Sequence, residues 1–345
     1  MRAVQLIAPG HPVTMRQIPI PTCGPADVLV RVRAAGICHS DVHYRSGRSR
    51  VEPLPLTLGH EVAGDVVACG SIVTSHSPGD RVCLHYLVTC GHCDPCVAGH
   101  EQFCTTGRML GHFTDGGWAE YLAVPARNAV PLPPTVSYEH AAVMMCSSAT
   151  SLHALRKGRL IAGERVLVVG AGGLGLSAIQ LAYALGAREV IAVDRDEAKL
   201  AVAEQLGATP VSAAGVEVDQ VVCQVRELTR GVGLEVALEL VGRPDTMQMA
   251  LQSLAPFGRA VIVGLCDAPL AVNTYRDLIG REAELIGSND HLLSELHELL
   301  RFAESGELDL TNIVTHVVPL EAGAINNVLD ALEQFAAPAR TVIRP

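Results

Sequence analysis

From residue 1 to about 145 the hydrophobic positions fall in short valine-rich runs broken by Gly and Pro. DVLVRVRAAGIC (27–38) and HEVAGDVVACG (60–70) are two such runs, and they predict strands separated by turns. From about 150 the texture changes. ERVLVVGAGG (164–173) is an unbroken apolar run entering a glycine turn, and LGLSAIQLAYALGA (174–187) continues it with helical spacing. REVIAVDRD (188–196) and EAKLAVAEQLGA (197–208) repeat the pair as strand and helix. LEVALELVG (234–242), GRAVIVGL (258–265) and AELIGS (283–288) read as later strands of the same parallel sheet. HLLSELHELLRFAESGEL (291–308) is an amphipathic helix, and ARTVIRP (339–345) is strand-like. The pattern predicts an α/β chain with a β-rich first part and a doubly wound second part.

Length and charge narrow this picture. At 345 residues the chain exceeds the size of one ordinary core, so two domains are expected. A formal charge of −10 argues against nucleic acid or an anionic membrane as partner. No run reaches the roughly 18–20 apolar residues that cross a bilayer. Pro9, Gly10 and His11 interrupt the N-terminus before a signal-peptide stretch could form. A cytoplasmic protein is the expectation.

The 11 cysteines are unevenly placed, and Cys90, Cys93, Cys96 and Cys104 form C-x2-C-x2-C-x7-C. Clustered thiols in such a chain point to metal rather than disulfides. Four thiolates at short spacing suit a tetrahedral structural zinc, with Gly91, Pro95 and Gly99 supplying the bends. A nucleic-acid-binding zinc ribbon would need basic, aromatic surroundings that this acidic chain lacks.

Cys38 in CHSDVH, His60 in GHEVAG and Cys146 in MMCSSAT could supply the three ligands of a zinc with one open position. Their wide spacing leaves ordinary buried residues as the other reading. Gly170, Gly172 and Gly175, with Gly173 and Leu174 between them, form G-x-G-x-x-G between a strand and a helix. Such a turn lets backbone approach a pyrophosphate at a helix N-terminus. Asp194 ends the next strand, where a carboxylate accepts from ribose hydroxyls and repels a 2′-phosphate, so NAD is expected over NADP. The adjacent Arg195 could partly accommodate that phosphate, and Asp194 could be a plain strand-end carboxylate.

These segments resemble the zinc-containing medium-chain alcohol dehydrogenases along essentially the whole chain. GHEVAGDVVACGSIV fits that family's G-H-E signature, and the cysteine ladder fits its structural zinc lobe. The resemblance implies a GroES-like catalytic domain, 1–148 with 290–345, around a Rossmann domain, 149–289. It implies two zinc ions per chain, the catalytic one on Cys38, His60 and Cys146, with Glu61 able to approach the metal during exchange. It implies that His39 and Arg340 contact the pyrophosphate and that Val263 and Leu265 belong to the cofactor site. Because His39 titrates near neutrality, cofactor affinity is expected to depend on pH. A proton relay from Ser40 to His43 is implied, against helix capping for Ser40 and simple exposure for His43.

The reaction so implied is reversible hydride transfer from a primary or secondary alcohol to NAD, giving an aldehyde or ketone. Ser49, Tyr86 and Trp118 are candidate pocket residues, although an isolated aromatic is as often core as pocket. A polyol-type or other zinc-dependent carbonyl reductase is the alternative chemistry. A nucleotide-binding protein without catalysis is the alternative class. The resemblance also implies a homodimer or homotetramer joined through Rossmann edge strands.

Overall fold

The computed structural model describes residues 1–334 and 340–345. Contacts divide the chain into two units, one of residues 1–146, 292–304 and 310–345, the other of 147–291 and 305–309.

The first unit is built on a seven-stranded sheet. Its main path runs Ala129–Pro131, Arg81–Leu84, Val62–Cys69, Asp27–Ile37, Arg340–Arg344, Val314–Pro319, with Tyr121–Pro125 also paired to Asp27–Ile37. The long strand Asp27–Ile37 alternates buried and outward residues over its first half, then is buried throughout. Val28, Val30 and Val32 face the core with Val62, Val66 and Leu84, while Arg31 and Arg33 turn to water. Thr341 opposes Ile37 in an antiparallel pairing, and Val342 opposes Val317 in a parallel one. The C-terminal strand thus lies inside the sheet of the N-terminal segment, and the β-rich expectation for that segment holds.

The second unit carries a six-stranded sheet in the order Thr209–Ser212, Glu189–Asp194, Arg165–Val169, Leu234–Glu239, Leu254–Ile262, Glu284–Gly287, every neighbouring pair parallel. The unbroken apolar runs of the sequence are the middle strands, buried on both faces as parallel strands are. Chain order reverses at Arg165–Val169, and ligands in such sheets bind at the carboxyl ends of the strands at that reversal. No helix among the described residues is long and apolar enough to cross a membrane.

Candidate metal and cofactor sites

Cys38 follows the long strand and caps the helix His39–Ser46, its backbone N–H donating to Asp41 Oδ2 at 2.8 Å. His60 and Glu61 immediately precede the strand Val62–Cys69, and Cys146 sits on the π-helical turn Met144–Ser148. The backbone pairing that brings these segments together is tight. Gly36 N–H donates to the Glu61 carbonyl at 2.9 Å, and a Cβ on Gly36 would fall within 2.9 Å of Glu61 Cβ, so only glycine fits.

The ligating atoms of Cys38, His60, Glu61 and Cys146 all lie within 4.8 Å of one another. His60 is 1% exposed, yet both ring nitrogens lack a hydrogen-bond partner among the described residues. A buried imidazole without partners is costly, and a metal ion at the centre of two sulfurs and a nitrogen removes that cost. The donor set fits zinc.

Electrostatics set these donors apart. A hydrogen bond from Cys146 holds Cys38 well below the usual thiol range against burial, with His60 and Arg340 assisting. The same bond, together with burial, pushes Cys146 up. Burial disfavours charge on His60, but the Asp41 carboxylate and Cys38 outweigh it and raise its pKa. Asp41 Oδ1 lies 3.7 Å from His60 Nδ1, and Asp41 is fully buried. Sequence reasoning missed Asp41; its one signal was the capping-box spacing from Cys38.

Glu61 is pushed up to about 7, burial raising it and Arg340 opposing. Arg340, expected at a pyrophosphate, is 5% exposed and ion-paired to Glu61 Oε2. Its guanidinium therefore neutralises the carboxylate beside the metal ligands. Ser40 Oγ is 3.8 Å from Cys38 Sγ. His39 and His43 pack edge to face at 5.3 Å, and burial lowers the pKa of both.

Of the expected pocket residues, Tyr86 is buried with its ring edge-on to His60 at 5.2 Å, and Ser49 is half-buried. Trp118 is fully enclosed, with Nε1 donating to the Gly36 carbonyl at 3.2 Å. That bond braces the turn that brings Gly36 against Glu61.

Cys90, Cys93, Cys96 and Cys104 also bring their sulfurs within 4.8 Å of one another. Cys90 Sγ lies 3.9 Å from Cys96 Sγ, and Cys93 Sγ 3.8 Å from Cys104 Sγ. The N–H of Cys93 points at Cys90 Sγ, and that of Cys90 at Cys104 Sγ, each at 3.3 Å. Backbone donors from Cys96 and Thr105 bring Cys93 down to about 6, which favours the ligating thiolate.

In the second unit Gly170 turns at φ 103°, and a Cβ on Gly175 would fall 1.9 Å from the Gly170 carbonyl. The helix Gly173–Ala184 starts there with Gly172 as its N-cap. Asp194 Oδ2 accepts from Ala171 N–H at 2.7 Å, and Oδ1 accepts from the N–H of Arg195 and Asp196. Beyond the expected ribose role, Asp194 thus ties the glycine turn to the neighbouring strand. Arg195 and Leu265 are exposed and Val263 is half-buried.

Residues 24–134 match the alcohol dehydrogenase GroES-like domain, and residues 173–305 match the zinc-binding dehydrogenase family. The chain is 36% identical to a NAD-dependent alcohol dehydrogenase of Sulfurisphaera tokodaii, with all of both chains covered. It is 35% identical to an L-threonine 3-dehydrogenase of Symbiobacterium thermophilum, covering 93% of this chain and 92% of that one. The crystal structure of the alcohol dehydrogenase of the archaeon Aeropyrum pernix superposes with a TM-score of 0.89 at 35% identity, covering both chains completely.

Proposed function

The chain belongs to the zinc-dependent medium-chain dehydrogenase family, and from that premise we propose that it interconverts a primary or secondary alcohol with its aldehyde or ketone, using NAD in preference to NADP. It is an oxidoreductase. The observation that carries the finer reading is the convergence of Cys38, His60 and Cys146, with both buried His60 ring nitrogens lacking a hydrogen bond among the described residues. These three residues would hold a catalytic zinc, with Glu61 beside them, and the four-cysteine lobe would hold a structural one.

Zinc bound there supplies Lewis acidity that lowers the pKa of an alcohol oxygen, and NAD supplies the hydride acceptor. Ser40 takes up the substrate proton and the half-buried His43 releases it to water. Asp194, fixed against the turn at Ala171, presents its remaining lone pairs to the ribose and repels a 2′-phosphate. Ser49 and Tyr86 border the substrate.

A second reading, a secondary hydroxyl on an amino acid or polyol, is favoured by the relatives named L-threonine 3-dehydrogenase. A screen of primary, secondary and aromatic alcohols, polyols and L-threonine with NAD and with NADP separates the two, together with metal analysis. We expect about two zinc ions per chain and NAD-linked turnover of a simple alcohol. Zinc-replete protein that turns over L-threonine alone overturns the first reading, and protein that turns over none of these overturns both.

The edge strand Glu284–Gly287 is largely exposed, as are Tyr275 and Ile279 nearby in sequence. Pairing of this strand with its copy would cover an open sheet edge and form a homodimer, on which a tetramer could be built. Sedimentation showing a monomer at micromolar concentration would overturn this assembly.

A further inference from the structure

Glu239 ends the strand Leu234–Glu239, which lies beside the strand that leads into the glycine turn. Its side chain is fully buried. Oε1 accepts the backbone N–H of Val241 at 3.0 Å, that of Gly242 at 2.8 Å and the Thr246 hydroxyl at 2.7 Å. Oε2 has no hydrogen-bond partner among the described residues. The main-chain carbonyl of Glu239 accepts the N–H of Val263 at 3.0 Å and of Gly264 at 3.1 Å.

One residue therefore holds two of the loops that leave the carboxyl edge of the sheet, 240–243 and 263–265. The loops touch through glycines: a Cβ on Gly264 would lie 2.0 Å from Gly242 N and 2.8 Å from Glu239 Oε2. The first loop also abuts the glycine turn. Leu240 N–H donates to the Val169 carbonyl at 3.0 Å, and Val241 Cγ2 sits 2.8 Å from where a Cβ on Gly170 would stand.

A carboxylate buried with one oxygen unpartnered costs stability that an apolar side chain of similar size would not. Its return is geometric, since three donors converging on one oxygen fix the turn after the strand. We propose that Glu239 is a positioning residue for the cofactor, setting the loop 240–243 against the glycine turn and so shaping the seat of the dinucleotide. This rests on the reading of Gly170–Gly175 as the dinucleotide site.

The test uses the full-length, zinc-replete protein, with NADH titrated by fluorescence and KM for NAD and kcat measured at a saturating alcohol. Glu239→Ala, which removes the acceptor of all three bonds, is expected to raise the NADH Kd and the KM for NAD about tenfold, with kcat changing far less. Glu239→Gln keeps an acceptor for the three donors and is expected to restore most of the affinity. Wild-type affinity in Glu239→Ala overturns the proposal, and so does a parallel loss of kcat and affinity that Gln does not rescue. Should Glu239→Ala fail to fold, Thr246→Val removes one of the three donors, and a KM for NAD raised about threefold is then expected; an unchanged KM overturns the proposal. Asp194→Gly in the same assays separates the two levels. If it leaves NAD affinity intact, the cofactor reading itself fails; if it weakens NAD while Glu239→Ala does not, only the positioning role falls.

Discussion

Arg340 and Glu61, from opposite ends of the chain, form an ion pair sealed inside the first unit, the guanidinium 5% exposed and the carboxylate not at all. Removing Glu61 leaves a lone buried charge next to the metal ligands, and removing Arg340 leaves a buried carboxyl without its cation. Arg340→Ala is expected to lower the unfolding free energy by about 3–5 kcal/mol, measured by urea denaturation. Replacing both by Met should recover much of that loss, because the pair's desolvation cost goes with its attraction. A double variant as unstable as Arg340→Ala would show that the pair is not what that substitution breaks.

Ser40→Ala removes the hydroxyl expected to take the substrate proton without touching a ligand side chain. Turnover is expected to fall about 100-fold or more, with zinc content unchanged. Metal analysis alongside steady-state kinetics checks this, and near-normal turnover removes Ser40 from the relay.

Cys96→Ser should cost the lobe its ion. The loop 90–104 has little core of its own, since all four cysteines are only half-buried. Zinc content is expected to halve and thermal stability to drop, while turnover measured below the new transition persists. Retention of full zinc content would show that three thiolates suffice.

His85 gives a pH dependence whose sign is fixed by burial. Burial pushes it down to about 3, with Arg127 adding to the effect. Between its ordinary pKa of about 6.5 and that value, the unfolded chain binds a proton that the folded chain refuses. The stability from this group is complete above that upper limit and falls by about 1.4 kcal/mol per pH unit as pH drops through the window. Unfolding curves at several pH values should show this slope, and His85→Leu should flatten it; an equal slope in the variant would assign acid sensitivity elsewhere.

The features legible in the sequence are those that local spacing encodes. The four-cysteine lobe and the glycine turn are short-range patterns, and each folds as its spacing predicts, because the chain closes on itself within one loop. Parallel strands announced themselves as apolar runs because both their faces are covered. Cys38, His60 and Cys146 carried no such pattern; strand pairing across the first unit brings the first two together, and only a family resemblance had connected all three. The burial of Asp41 and Glu239 was not legible for a related reason, since a carboxylate near an element's end looks the same in sequence whether it is solvated or buried. Trp118, a candidate pocket residue, is fully buried and donates its indole N–H to the Gly36 carbonyl.

The strand Arg340–Arg344 lies between Asp27–Ile37 and Val314–Pro319. Synthesis from the N-terminus therefore produces one interior strand of the sheet after all its neighbours. The second unit, nearly continuous in sequence, can complete its sheet while the first still lacks a central strand, with the backbone groups of Ala35–Ile37 open to any passing edge. Glu61 meets its cation only when that gap closes. Until then the newly made chain holds a carboxylate that its core cannot yet accommodate.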